Sequence, residues 1–134
     1  MKLAPNTRPA RVYIAVIMLY MANLLGLFDL LTETQLMPIQ PRDLWADFTV
    51  YTLLLILAFG ISLGFRIFRL GYVICSVIWY ISLIFLLSHI HGHPLNIGLV
   101  FIEVTLTIAA MCFLYQAPSK DWLHYKSLSY SSAN

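Results

Sequence analysis

The sequence predicts an all-α membrane protein, a four-transmembrane-helix antiparallel bundle with both termini cytoplasmic. Three observations lead there. Of 134 residues, 60% are hydrophobic and only 10% charged, at a mean hydropathy of +0.81, whereas soluble chains carry roughly 25% charged residues. The apolar residues gather into four nearly uncharged runs. Pro5, Pro9, Pro38, Pro41, Pro94 and Pro118 all fall outside those runs, as they must where lipid cannot replace a lost backbone hydrogen bond. The same composition excludes a disordered chain, a basic nucleic-acid-binding domain and a small disulfide scaffold. Continuous apolar runs also exclude barrel strands, which alternate over about ten residues.

The first span is expected at 12–31, long enough at 1.5 Å per residue to cover the roughly 30 Å hydrocarbon core. Its length and flanking residues suit a retained signal anchor better than a cleaved leader. The others are expected at 48–65, 71–90 and 95–115, followed by a cytoplasmic tail over 116–134, all within one membrane domain, 1–134. Asp47 suits an N-cap for the second span, and Pro94 the first turn of the fourth. Trp45, Tyr72, Tyr115 and Trp122 sit near span ends, where amphipathic rings anchor at interfaces. In the tail, the first half is expected to lie on the membrane surface and the Ser/Tyr-rich end to be mobile.

Basic residues set the expected orientation. Lys2, Arg8, Arg11, Arg66, Arg69, Lys120 and Lys126 fall on one side and Arg42 alone on the other. Taking the membrane as a bacterial inner (plasma) membrane, that partition is expected to place both termini in the cytoplasm. The connection over 66–70 is too short for a domain, so spans two and three form a hairpin.

Small and polar residues inside the spans mark candidate contacts. Gly60 and Gly64 form a Gly-x-x-x-Gly pair in the second span, a spacing that lets helices approach closely. Ala22, Gly26 and Asp29 share one side of the first span, with Asn23 beside it and deeper than Asp29. Glu103 is expected near the bilayer midplane, about 12 Å along the fourth helix. Glu103, Thr107, Ala110 and Leu114 share a face that should turn toward protein. A bare carboxylate at that depth is costly. The economical arrangement is a protonated Glu103 bonded to Asn23, Ser82 or a backbone carbonyl; a partner subunit's contact or a proton site are the alternatives.

His89, His91 and His93 form the other constellation. Three imidazoles within five residues suit a polar cap at a membrane end, a divalent metal such as zinc, copper or nickel, or a pH sensor. Cys75 and Cys112 are expected to be ordinary buried thiols, without a disulfide.

No phosphate-gripping loop, nucleophile elbow or paired-carboxylate motif appears. The expected function is that of a non-catalytic accessory or scaffold protein that assembles with a partner membrane protein. A small proton-coupled or metal-linked transporter, as a homodimer, is the first alternative, using Glu103 and the outer histidines. A lipid-modifying enzyme is the second. Membrane lipids, a membrane-protein partner or a second copy of the chain are the expected partners, with no nucleic acid. Bound lipid or a divalent metal are the candidate cofactors.

Overall fold

The computed structural model describes residues 8–36, 41–89 and 94–132. The described chain is helical throughout, with no strand among the described residues. Its helices are α1 (Ala10–Leu36), α2 (Pro41–Leu63), α3 (Arg66–His89), α4 (Pro94–Tyr115) and α5 (Ala117–Ser131). The first four are long and apolar enough to cross a membrane, over Ala10–Thr32, Leu44–Leu63, Arg66–Phe85 and Ile97–Tyr115. The molecule is a multi-pass helical membrane protein.

The distribution of side chains fits a lipid solvent. Ile14, Ile17, Leu24, Phe59, Ile78, Ile84 and Phe101 are exposed, while Asn23, Ser76, Glu103 and Thr107 are buried. Water would reverse that preference. In lipid, apolar side chains gain nothing by turning inward, whereas polar ones need partners.

Helix α1 is the spine. Its buried positions, Val12, Ala15, Val16, Leu19, Ala22, Asn23, Gly26, Asp29 and Leu30, recur at intervals of three, one and three, the seam of a left-handed helix pair. It packs most extensively against α4 and next against α2, while α2 packs against α3. Backbones of α3 and α4 touch only sparsely. Together these contacts bury 44% of the α1 span but only 17% of the α3 span and 22% of the α4 span.

The connection between α2 and α3 is tighter than sequence reading suggests. Gly64 has φ +97°. Phe65 N–H donates to the Gly60 carbonyl at 3.1 Å and Gly64 N–H to that of Ile61 at 3.0 Å. This bond pair is the Schellman ending, with Gly64 in the left-handed position that side-chain-bearing residues resist. The two glycines therefore do different jobs instead of forming one stripe against a helix. Gly60 leaves room for the Phe68 ring, and Gly64 reverses the chain while Lys126 and Trp122 crowd its open side.

Helix ends also depart from expectation. Arg66 begins α3 instead of lying in a longer loop, and Asp47 lies inside α2 instead of capping it, because Pro41 already starts that helix. Proline is tolerated there since a first-turn N–H has no intrahelical partner. Pro94 begins α4, and Pro118 stands in the first turn of α5. The tail is helical through Ser131, and Phe65 stacks on Tyr130 with centroids 4.8 Å apart. Trp122, instead of sitting at an interface, is 7% exposed and docked with Leu123 against the bundle's end.

Candidate functional site

The polar residues of the spans converge on Glu103, which is 1% exposed. Position on α4 explains the burial: Glu103, Thr107, Ala110 and Leu114 repeat at helical spacing, and all four are buried. Tyr51, from α2, donates its hydroxyl to Glu103 Oε2 at 3.2 Å. Tyr80, from α3, donates to Oε1 at the same distance. Three helices thus meet at one carboxylate.

The network continues inward. Tyr80 Oη and Thr107 Oγ1 are 2.9 Å apart. Asn23 Nδ2 donates to the Leu19 carbonyl at 2.7 Å and to Tyr72 Oη at 2.9 Å. Both amide hydrogens of Asn23 are thereby used, and Tyr72 oxygen is an acceptor. Tyr80 donates its hydrogen to the carboxyl, which leaves the Thr107 hydroxyl to donate to Tyr80. Each hydroxyl carries a single hydrogen, so Thr107, Tyr80 and Glu103 form one oriented set and Asn23 with Tyr72 another.

Packing holds this geometry. A Cβ at Gly26 would overlap the Tyr51 ring, so a glycine on α1 lets Tyr51 reach across to α4. Trp79 braces the same ring edge-on, with centroids 5.4 Å apart and planes at 77°. Asp29, also buried, lies within electrostatic range of Glu103, and its backbone carbonyl accepts the Thr32 hydroxyl at 2.8 Å.

Several expected roles are redistributed. Asn23 serves Tyr72 instead of Glu103, and Ser82 is exposed, donating to the Ile78 carbonyl of its own helix at 2.9 Å. Tyr72 lies in the core at 1% exposure instead of at an interface. Sequence reading missed the tyrosines as partners of the carboxyl, although Tyr72, Ser76 and Tyr80 recur every four residues along α3. That polar stripe was the available signal.

A second polar group closes the basic end of the bundle. Arg69, on α3, is 5% exposed and donates to the Leu114 carbonyl at 3.0 Å, with its guanidinium 4.3 Å from the Tyr115 ring centroid. The last carbonyls of a helix lack intrahelical partners, and a cation from a neighbouring helix fills that need on α4. Arg11 donates to Gln116 Oε1 at 2.7 Å.

His91 and His93 lie outside the described residues. His89 ends α3, and nothing further of its side chain is described. Among the described residues, no group of three or more His, Cys, Asp or Glu side chains is arranged to hold a metal ion. Cys75 and Cys112 are free thiols; Cys112 is exposed rather than buried, on the apolar surface of α4. The chain matches no protein-family model, no curated protein and no solved structure.

Proposed function

We propose that the chain is a non-catalytic accessory or scaffold protein of a bacterial inner membrane, with both termini cytoplasmic, that assembles with a partner membrane protein. The orientation rests on the seven-to-one partition of lysine and arginine. The assembly reading is supported by one asymmetry: α1 buries 44% of its span against its neighbours, while α3 and α4 bury 17% and 22% and barely meet each other. Glu103 is 1% exposed, and both its oxygens accept hydroxyls of the same chain. What remains for a partner is the outward face of α4, where a Cβ on Gly98 would meet nothing within 4 Å, beside exposed Ile97, Phe101 and Ile102.

Gentle purification in native lipid tests this reading. A larger membrane protein should accompany the chain stoichiometrically. Gly98→Leu should weaken that association at least tenfold, about 1.4 kcal/mol, without changing the chain's own unfolding midpoint. Recovery of the chain alone, or only with copies of itself, overturns the reading.

A second reading, proton-linked transport, is favoured by one observation: Tyr51 and Tyr80 both donate to the Glu103 carboxyl, and no ammonium or guanidinium among the described residues bonds to it. Intramembrane carboxyls of that kind mark proton paths in other membrane proteins. In vesicles holding the chain and a pH-sensitive dye, an external acid pulse should acidify the lumen, and Glu103→Gln should abolish the response. Equal acidification in empty vesicles rejects it.

A further inference from the structure

The two hydroxyls on the Glu103 carboxyl differ in what else they touch. Tyr51 Oη bonds Oε2 at 3.2 Å and has no second oxygen partner among the described residues. Trp79, which braces the Tyr51 ring, carries an indole N–H that only donates. The Tyr51 hydrogen therefore has one acceptor, the carboxyl. Tyr80 Oη bonds Oε1 at 3.2 Å and also lies 2.9 Å from Thr107 Oγ1, a pair in which either atom can be the donor. Oε1 is thus the oxygen whose partner has somewhere else to put its hydrogen.

Thr107 makes the alternative available. Thr49, Thr52 and Thr105 each donate to the carbonyl four residues earlier in their own helix, a common use of a threonine hydroxyl in a helix. Thr107 turns instead to Tyr80, across the gap between α4 and α3. The carbonyl it forgoes is that of Glu103 itself. Two arrangements then satisfy the same groups, because a hydroxyl both donates and accepts. In the first, Thr107 donates to Tyr80 and Tyr80 to a charged carboxylate. In the second, Oε1 carries a proton and donates it to Tyr80, Tyr80 donates to Thr107, and Thr107 donates to the Glu103 carbonyl. One O–H bond forms, two hydrogen bonds reverse, one is added, and the site passes from one negative charge to none. A carboxylate at that depth in lipid is costly, so a neutral form reached by turning hydroxyls alone is a physical advantage.

We propose that Glu103 is a reversible proton seat, with Oε1 the atom that takes the proton and Tyr80 and Thr107 the hydroxyl pair that turns to receive it. Tyr51 donates to Oε2 in both forms. The hydroxyls lie directly on both carboxyl oxygens, so a bare proton fits without moving them and a larger cation does not. Among the described residues, Asp29 of α1, Tyr51 of α2, and Tyr72 and Tyr80 of α3 are the titratable groups within electrostatic range of Glu103. Tyr80 and Thr107 are positioning residues, acting through the carboxyl. The inference deepens the proton-linked reading, on which its use rests, by naming the oxygen and the two hydroxyls.

The test is infrared difference spectroscopy of the whole chain in lipid vesicles, read in the carbonyl-stretch region of protonated carboxyls as the medium is acidified. The parent chain should gain a band that Glu103→Gln lacks. Tyr80→Phe removes the acceptor of the carboxyl proton and should shift that band to higher wavenumber. Thr107→Val should shift it the same way without touching the carboxyl, because Tyr80 then has no second acceptor. Thr107→Ser keeps the hydroxyl and should restore the parent position. Thr105→Val, the same change on the exposed side of α4, should leave the band in place. An unmoved band in Thr107→Val overturns the proposal, as does an equal shift in Thr105→Val or the lack of any Glu103-dependent band. A Thr107-dependent band in vesicles that do not acidify supports the seat and rejects transport alone. Acidification with a band indifferent to Thr107 supports transport and overturns the seat.

Discussion

The two sides of α4 are built on opposite principles. Toward α1 the helices meet closely, and small side chains make the approach possible: Ala15, Ala22 and Ala110 are at most 1% exposed. Toward α3 the backbones stay apart, and long polar side chains span the gap, Tyr80 to Glu103 and Thr107 in the middle and Arg69 to the Leu114 carbonyl at the basic end. Both answer the same physical problem. In lipid, burying leucine against leucine gains little over leaving it among acyl chains, so association needs either closer van der Waals contact or hydrogen bonds. The small-residue side gains strength from shape and loses it abruptly when atoms are added. The bridged side gains from pairs that can be removed one at a time.

The strongest challenge to the close packing around α1 is Gly26→Leu, on the side that meets α2. Its added atoms would collide with the Tyr51 ring, and overpacking costs about 1–3 kcal/mol before any loss of the Tyr51–Glu103 bond. We expect a total loss of about 3 kcal/mol in reversible detergent-induced unfolding. Wild-type stability in that variant would show that α1 is not tightly held.

On the bridged side, Arg69→Met should have the next largest effect. It removes a hydrogen bond from a charged donor and a cation–ring contact while keeping the side-chain length. A loss of about 2 kcal/mol is expected by the same unfolding measurement. A neutral result would mean that α4 ends as well without the guanidinium.

The smallest effect should belong to the middle bridge. Tyr80→Phe and Thr107→Val, alone and together, form a double-mutant cycle for their 2.9 Å contact. Measured couplings between membrane helices average about 0.6 kcal/mol and reach roughly 1.7, so we expect about 1 kcal/mol. Strict additivity would remove Thr107 from the oriented hydroxyl series.

Much of this was readable from the chain alone. Four uncharged runs marked the four apolar helices, since a length of about 20 apolar residues leaves few alternatives. The Glu103, Thr107, Ala110 and Leu114 face followed from helical period, as did the shared side of Ala22 and Gly26. Arg69 was assigned to a connection because charge is usually a mark of water. Nothing local shows that a carbonyl on another helix will need it. Gly60 and Gly64 match a packing motif at four-residue spacing, but which of two glycines reverses the chain depends on where the helix stops. The partners of Glu103 come from α2 and α3, at separations of 52 and 23 residues, and one sequence does not pair distant tyrosines with a carboxyl. The docking of α5 was hidden for a related reason. Its composition is that of a polar tail, and its packing depends on Trp122 and Leu123 reaching the bundle's end.

The pairing of α1 with α4 carries a consequence for biogenesis. Of the four spans, one neighbour emerges first from the ribosome and the other last. At translation rates of about 5–20 residues per second, several seconds separate their arrival in the bilayer. During that interval the groove bearing Ala15 and Ala22 has no α4 to fill it, and Asn23 has no Tyr72 until α3 arrives. A nascent chain halted before the fourth span would therefore present an unfinished seam to quality-control proteases, which makes completion of synthesis, rather than insertion of any single helix, the step that commits the bundle to its final form.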